Sequence, residues 1–517
     1  MRTAISLRFS ITALTVAFLT IAARAADCPQ WGQPHSRNMV SEERNLPQTF
    51  DADSGKNVKW IADIGGRTYS TPIIAGGKVL IGTNNERPRD PRRKGDFGVL
   101  MCFNETDGKF AWQLVVPKLS EDRYLDWPKV GICSVPTVDG DRVYVVTNRA
   151  EVVCLDINGL ANGNDGPFKD EAKFATQGDA TPLKLGEFDA DIIWRVDMRT
   201  AAGIRMWPHD SVSVSIMIAG DHLYLNTSNG KDNSHKRIRR PDAPSLIVLD
   251  KASGKLIAAD AERIGHRIFH ATWAPPSMGR IGGARRVFFG GADGVVYAFE
   301  PVKPDIPPEG KPATLKRIWR FDCDPSGPKT NLNQYIRNRT EGPSVIYCMP
   351  VFYKNRVYVT VGGDIWWGKR RAWVKCIDAT KTGDVTKTAE VWSHEVSRHC
   401  CATVAISGGL LYVGDLGGNF YCLDAETGKR VWTHKTNGAV YASALVADSK
   451  VYIGTQKGQF LIFAAGREKN VLADMKLDSP IHAPASAANE TVYISTMKKL
   501  YAVSRGGKQV LAPRVSE

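Results

Sequence analysis

Beyond residue 25 the chain contains no apolar run long enough to span a bilayer, and its ten cysteines include no Cys-x-x-Cys pair. The first absence leaves that part of the chain without a bilayer-crossing helix. The second excludes a zinc ribbon and a covalently attached c-type haem, both of which need two thiols at that spacing. There is no phosphate-cradling glycine loop and no Gly-x-Ser-x-Gly elbow, so neither nucleotide hydrolysis at such a loop nor serine-hydrolase chemistry has a local basis. No long segment has the low hydrophobicity that keeps a tail disordered.

What is present begins with a leader. Arg2 and Arg8 precede an apolar run over 11–23, and Ala23-Arg24-Ala25 offers small residues where a signal peptidase inspects them. This predicts a cleaved secretory signal over 1–25 and an exported protein, periplasmic or extracellular. Cys28 follows Ala25-Ala26-Asp27, which lacks a lipoprotein cleavage box, so no lipid is expected there. The formal net charge of +14 points to anionic partners. Without a recognisable nucleic-acid module, nucleic acid is not expected among them.

Residues 407–432 read SGGLLYVGDLGGNFYCLDAETGKRVW: short apolar runs separated by Gly-Gly and by Asp-Ala-Glu-Thr-Gly, hence strands joined by tight turns. The pattern recurs eight times. Its second strands begin at Val79, Val143, Leu223, Val287, Val357, Leu411, Val451 and Val492, and the last two intervals, 40 and 41 residues, are the bare unit. Four short strands per ~40–45 residues is the signature of a propeller blade. The predicted fold is therefore all-β, an eight-bladed β-propeller of four-stranded antiparallel blades over 55–505. An N-terminal extension over 26–54 precedes it and a tail over 506–517 follows. Trp60 sits in outer-strand register with no blade before it, ten residues ahead of Ser70, as Trp392 precedes Ala402. It is expected to complete the last blade and close the ring. Cys102, Cys154, Cys376 and Cys422 share one register, where other copies carry Val248 or Ala298, and are expected to be buried thiols.

Insertions mark the functional face. Residues 84–98, 228–244 and 363–372 all join a second to a third strand and emerge on the same side as the blade-to-blade connections. They bring arginines, lysines and tryptophans together. The candidate ligand-binding residues are Tyr69, Arg205, Trp207, His209, His270, Trp273, Arg337, Arg339, Trp366, Arg398, His399, Cys400, Cys401 and Tyr441. Cys401 shares its register with Tyr69, Cys133, Tyr347 and Tyr441, and these side chains are expected to rim the central channel. His209, His270 and His399 come from three blades without ligand spacing, so no metal site is assigned. Asp364 and Asp415 adjoin glycines and read as turn residues. No catalytic set stands out.

The repeat [Ser/Cys]-x-Pro…Val-Tyr-Val…Cys-Leu-Asp-x-x-Thr-Gly-Lys-x-x-Trp resembles the pyrroloquinoline-quinone (PQQ)-type propeller repeat over about 55–505. That repeat builds the quinoprotein alcohol dehydrogenases and the quinone-free propeller lipoprotein of the outer-membrane β-barrel assembly machinery. Two alternatives stand, the first from the ring, the loop asymmetry and the missing catalytic set, the second from what the resemblance implies. One is a non-enzymatic, exported binding or scaffold module that engages a partner protein, an anionic glycan or a small anion through the basic, aromatic face. The other is a PQQ- and calcium-dependent dehydrogenase of alcohols or sugars, in which an adjacent-cysteine disulfide such as Cys400-Cys401 covers the quinone. Polysaccharide hydrolysis is a third idea and needs two nearby carboxylates.

Overall fold

The computed structural model describes residues 26–303, 311–508 and 510–511; the predicted leader lies outside them. Eight sheets of four or five strands form, each from one copy of the repeat. In the sixth blade the strands are Ala405–Ser407, Leu410–Gly414, Asn419–Asp424 and Arg430–Lys435. The second strand is buried throughout and the third nearly so, because both faces of a blade pack on neighbouring blades. That is why these strands read as apolar runs and not as alternation. The outermost strand buries little besides Trp432. Across the ring the second strands start one to three residues ahead of the expected positions, for example Lys78–Asn84 and Ala284–Gly290.

The ring closes as the register of Trp60 predicts. Lys56–Asp63 pairs antiparallel with Lys499–Lys508, so the chain's first strand is the outer strand of its last blade. Lys499–Lys508 runs past residue 505, and Val510–Leu511 then pairs parallel with Lys56–Asp63 on the outside of the blade. Ala313–Thr314 and Gly383–Asp384 likewise add a parallel fifth strand to the third and fourth blades, covering outer edges that would otherwise be open.

The tryptophan register ties five of the blades to the next. The indole N–H of Trp60 donates to Glu105 O (2.9 Å), Trp112 to Ile157 O (2.8 Å), Trp319 to Ala379 O (3.2 Å), Trp392 to Ala425 O (3.0 Å) and Trp432 to Gly466 O (3.0 Å). Each acceptor belongs to the following blade, just past its third strand. There the indole covers the turn glycine: at Gly428, with φ +69°, a Cβ would lie 2.5 Å from Trp392. The Asp-x-x-Thr-Gly spacing thus serves both the turn and the tryptophan of the neighbouring blade. The four cysteines of the shared register are buried thiols, as expected.

The N-terminal extension is a floor. It touches the innermost strand of every blade, or the turn after it, in order around the ring. Cys28 bridges to Ile74, Pro29 O accepts from Val138, and His35 Nε2 lies 3.2 Å from Ile218 O. His35 O accepts from Met278 and Ser36 O from Phe352. Asn38 pairs with both backbone groups of Ile406, Met39 and Ser41 pair with Val446, and Glu43 accepts from Glu490 N. At its centre Arg37 is fully buried and donates to Trp31 O (3.0 Å), Ser215 O (3.2 Å) and Pro276 O (3.2 Å). These contacts lie toward the short-turn face, opposite the long loops.

Candidate functional site

Above that floor the channel opens into a cavity of about 670 Å³. Its wall is one register position read around the ring: Tyr69, Cys133, Ser213, Trp273, Tyr347, Cys401, Tyr441 and His482, one from each blade. Five of these were legible in the sequence as rim positions, and Trp273 was expected at the site on other grounds. Ser213 and His482 occupy the same register and complete the set. Trp31 forms the bottom, and the long loops add Tyr124, Trp127, His235, Trp366 and Trp367 around the entrance. The aromatic rings brace one another: Tyr441 stacks on His482 with centroids 4.6 Å apart, and Trp273 lies 5.1 Å from Tyr347 and 5.7 Å from Trp366. Trp366 is 46% exposed, a tryptophan presented at the rim.

Of the fourteen sequence-selected residues, Tyr69, Trp273, Trp366, Cys401 and Tyr441 line the cavity. His209 and His270 stand directly behind its wall. The other seven lie outside it, and several have structural roles. Arg339 donates to Gly368 O and Trp366 O, and Arg337 lies over Trp367, so both hold the rim loop. Trp207 sits under Arg239, and its carbonyl accepts from Gly230. Arg205 is exposed. Arg398 and His399 border a small cleft beside Gly363. His399 is buried and stacks on Tyr347. Cys400 is buried away from the cavity, and Cys400 and Cys401 are both thiols. Much of the expected basic face is consumed internally: Arg93 pairs with Asp189, Lys369 with Asp324, Arg371 with Glu395 and Arg239 with Asp232.

Histidines from different blades do converge here, although their spacing in the sequence assigned no such cluster. His209 and His270 meet His235, while His399 stays beyond Tyr347. Ring centroids are 4.6 Å apart for His209–His270, 4.7 Å for His209–His235 and 5.9 Å for His235–His270. The local fold explains the meeting. The insertion's first residues pair with both flanking connections, through bridges Pro208↔Asn229 and Gly230↔Ala271. His209 and His270 are thereby drawn to either side of one extended segment. Gly230 permits this approach, since a Cβ there would lie 2.6 Å from His209 Cβ. His235 then folds back from the same insertion.

Two carboxylates back the cluster. Asp364 is fully buried: Oδ2 accepts from the Tyr347 hydroxyl (2.6 Å) and lies 3.1 Å from His270 Nδ1, while Oδ1 accepts from the Trp366 and Trp367 amides. The turn reading of Asp364 therefore accounts for one oxygen and misses the other. Asp210 places its oxygens 3.4 Å from His270 Nε2 and 3.7 Å from His209 Nε2. Burial pushes His209 down to about 3 and His399 down to about 4. Burial also disfavours charge on His270, but Asp364 and Asp210 outweigh it and hold this imidazole above its ordinary range. Burial raises Asp364, and His270 and Tyr347 more than reverse that, leaving it an anion. Burial lowers Lys231, whose ammonium lies over Phe269 and donates to Asn333 Oδ1, to about 8. Asp210, Ser228 and His235 all take left-handed backbone conformations, strain of a kind that gathers at functional sites.

Comparison with known proteins places the fold. A family described as "outer membrane protein assembly factor BamB", a PQQ-type repeat family, matches residues 48–303 and 370–516. No sequence among the curated proteins matches. Among solved structures, a europium-containing methanol dehydrogenase superposes with TM-score 0.58 at 12% identity, covering 93% of this chain and 98% of that one. BamB from Moraxella catarrhalis gives TM-score 0.49 at 12% identity over 86% and 97% of the two chains. At these identities the likenesses concern the fold.

Proposed function

We propose that this chain, which belongs to the PQQ-repeat family described as outer membrane protein assembly factor BamB, is a binding propeller that takes a carboxylated saccharide ring into the cavity at its channel mouth. One observation carries the reading: the cavity has an aromatic wall, a floor at Trp31 and an entrance rimmed by further aromatics. A pocket of this size and lining buries most of a small ligand. The apolar faces of sugar rings pack on aromatic side chains without needing a fixed hydrogen-bond pattern. The acidic character follows from the cations that the loops leave over. Arg67 lines the cavity, and Arg67, Arg237, Arg370 and Arg398 have no carboxylate partner among the described residues.

The quinone-dependent alternative fits the donor set poorly. Calcium takes six to eight oxygen ligands. Among the described cavity-lining residues the only carboxylate is Asp210, and it faces imidazoles. Asp364 is committed to Tyr347, His270 and two amides. We read the cavity as built for a ligand other than a calcium-bound quinone.

A thermal-shift and tryptophan-fluorescence panel tests both readings: oligogalacturonate as the acidic saccharide, a cello-oligosaccharide as the neutral one, and PQQ with calcium. Oligogalacturonate is expected to stabilise the protein and perturb its tryptophan emission, and Trp366→Ala to weaken that response at least tenfold. Response to PQQ with calcium alone would restore the dehydrogenase reading. Acidic binding that survives Trp366→Ala but is lost on Arg237→Glu/Arg370→Glu would move the ligand to the outer loops.

A further inference from the structure

We infer that His209, His235 and His270 form a binding site for a first-row transition-metal ion, with the Asp210 carboxylate as a fourth ligand and an open position facing the cavity. This site stands independently of the saccharide reading. The three residues each present a ring nitrogen, and these atoms lie within 4.8 Å of one another. With metal–nitrogen bonds of roughly 2.0–2.1 Å, tetrahedral ligands stand about 3.3 Å apart, so the rings need to close by about 1.5 Å at most. His235, on a partly exposed loop, has room to do so, whereas His209 and His270 are 0% and 1% exposed and fixed by the paired backbone described above.

The hydrogen-bond inventory points the same way. Both ring nitrogens of His209, both of His270, Nδ1 of His235 and Oδ1 of Asp210 are buried without an aligned hydrogen-bond partner. The 3.1 Å approach of His270 Nδ1 to Asp364 is a charge contact that misses hydrogen-bond alignment. Native interiors rarely leave so many polar atoms unpaired in one place, and an ion is one of the few things that explains it. The surroundings also match a metal site one shell out. Asp364 Oδ2 stands behind His270 Nδ1, which leaves Nε2 to face Asp210 and the centre of the cluster. A carboxylate behind a ligating imidazole orients the ring and raises its basicity. Imidazole donors with one carboxylate favour zinc, copper, nickel or iron over calcium or magnesium. His235 and Asp210 also line the cavity, so the remaining coordination position opens into it.

The test uses the untagged mature chain, stripped with a chelator and titrated with Zn²⁺ or Co²⁺ by calorimetry and visible spectroscopy. One equivalent is expected to bind, with Co²⁺ giving visible bands of a four- or five-coordinate nitrogen-rich site. Azide is expected to shift those bands by entering the open position. Calcium and magnesium are expected not to compete. His235→Ala, which removes a partly exposed side chain and keeps the fold, is expected to weaken binding at least 100-fold, and His434→Ala, on the outer strand of the sixth blade, to leave it unchanged. Asp364→Asn is expected to weaken it roughly 10–100-fold. The assignment is overturned if the folded wild-type chain takes up less than a tenth of an equivalent, or if His235→Ala binds as well as wild type.

Discussion

Replacing Gly428 by alanine isolates the contact that joins the blades. Two costs arise at this position. The left-handed backbone, φ +69°, costs an alanine roughly 1–2 kcal/mol. The new Cβ would also lie 2.5 Å from Trp392 Cε3 and 2.6 Å from Cδ2, against an ordinary contact of roughly 3.5–4.0 Å. The indole must retreat by about 1 Å, which at the usual cost of overpacking adds about 1–3 kcal/mol. That retreat also stretches its 3.0 Å bond to Ala425 O, worth about 1 kcal/mol. The sum is about 3–6 kcal/mol. Gly409 provides the control: its φ is +76° and a Cβ there would meet nothing within 4 Å, so Gly409→Ala carries only the backbone cost. At about 2.1 cal/mol/K per residue, a ring of this length unfolding as one unit shifts its Tm by about 1 °C per kcal/mol. Scanning calorimetry should therefore place Gly428→Ala about 2–4 °C below Gly409→Ala. In a Trp392→Phe background, whose smaller ring relieves the clash, the gap should narrow. Equal Tm values for the two alanine variants would refute the docking account.

Further predictions concern a buried carboxylate and the floor. Burial raises Asp126 to about 6 despite its ion pair with Lys118. Between about pH 4 and pH 6 the folded chain then holds a proton that the unfolded chain has released. The contribution of Asp126 to stability accordingly falls as pH rises through that window, by up to about 3 kcal/mol. The difference in unfolding free energy between wild type and Asp126→Asn should carry this slope, and a flat difference from pH 4 to 6 contradicts it. Arg37→Ala leaves three carbonyls, those of Ser215 and Pro276 buried and that of Trp31 half-buried, without their donor and should destabilise the protein by about 3–5 kcal/mol. Hydrogen exchange at the Met278 and Phe352 amides, which the floor covers, should rise with it, and unchanged protection there would dismiss the floor.

The propeller was legible because one unit repeats eight times, and each copy carries its own turn and register signals. Ring closure was legible for the same reason, since Trp60 stands in a register that only a blade can use. The cavity wall was legible where the repeat supplied it, at Tyr69, Cys133, Tyr347, Cys401 and Tyr441. What escaped lies outside the repeat. Trp31 belongs to an extension with no register to read, and at the bottom of the cavity its carbonyl is held by the Arg37 guanidinium. His235 sits in an insertion whose charge drew attention to its neighbours, and only the pairing of Asn229–Gly230 with the flanking connections folds it onto His209. Asp364 looked like a turn residue because half of its hydrogen bonding is that of a turn. Loop cations looked like a binding face because sequence does not show which carboxylates they will meet.

The central claim is that the ligand enters the channel mouth. Cys401→Trp tests it most directly, since the larger side chain fills the wall position that Cys401 occupies. A fluorescence titration with oligogalacturonate should give saturable binding to wild type and at least a tenfold loss in Cys401→Trp with the circular dichroism spectrum unchanged. Undiminished affinity in that variant would contradict the account and place the ligand on the outside of the ring.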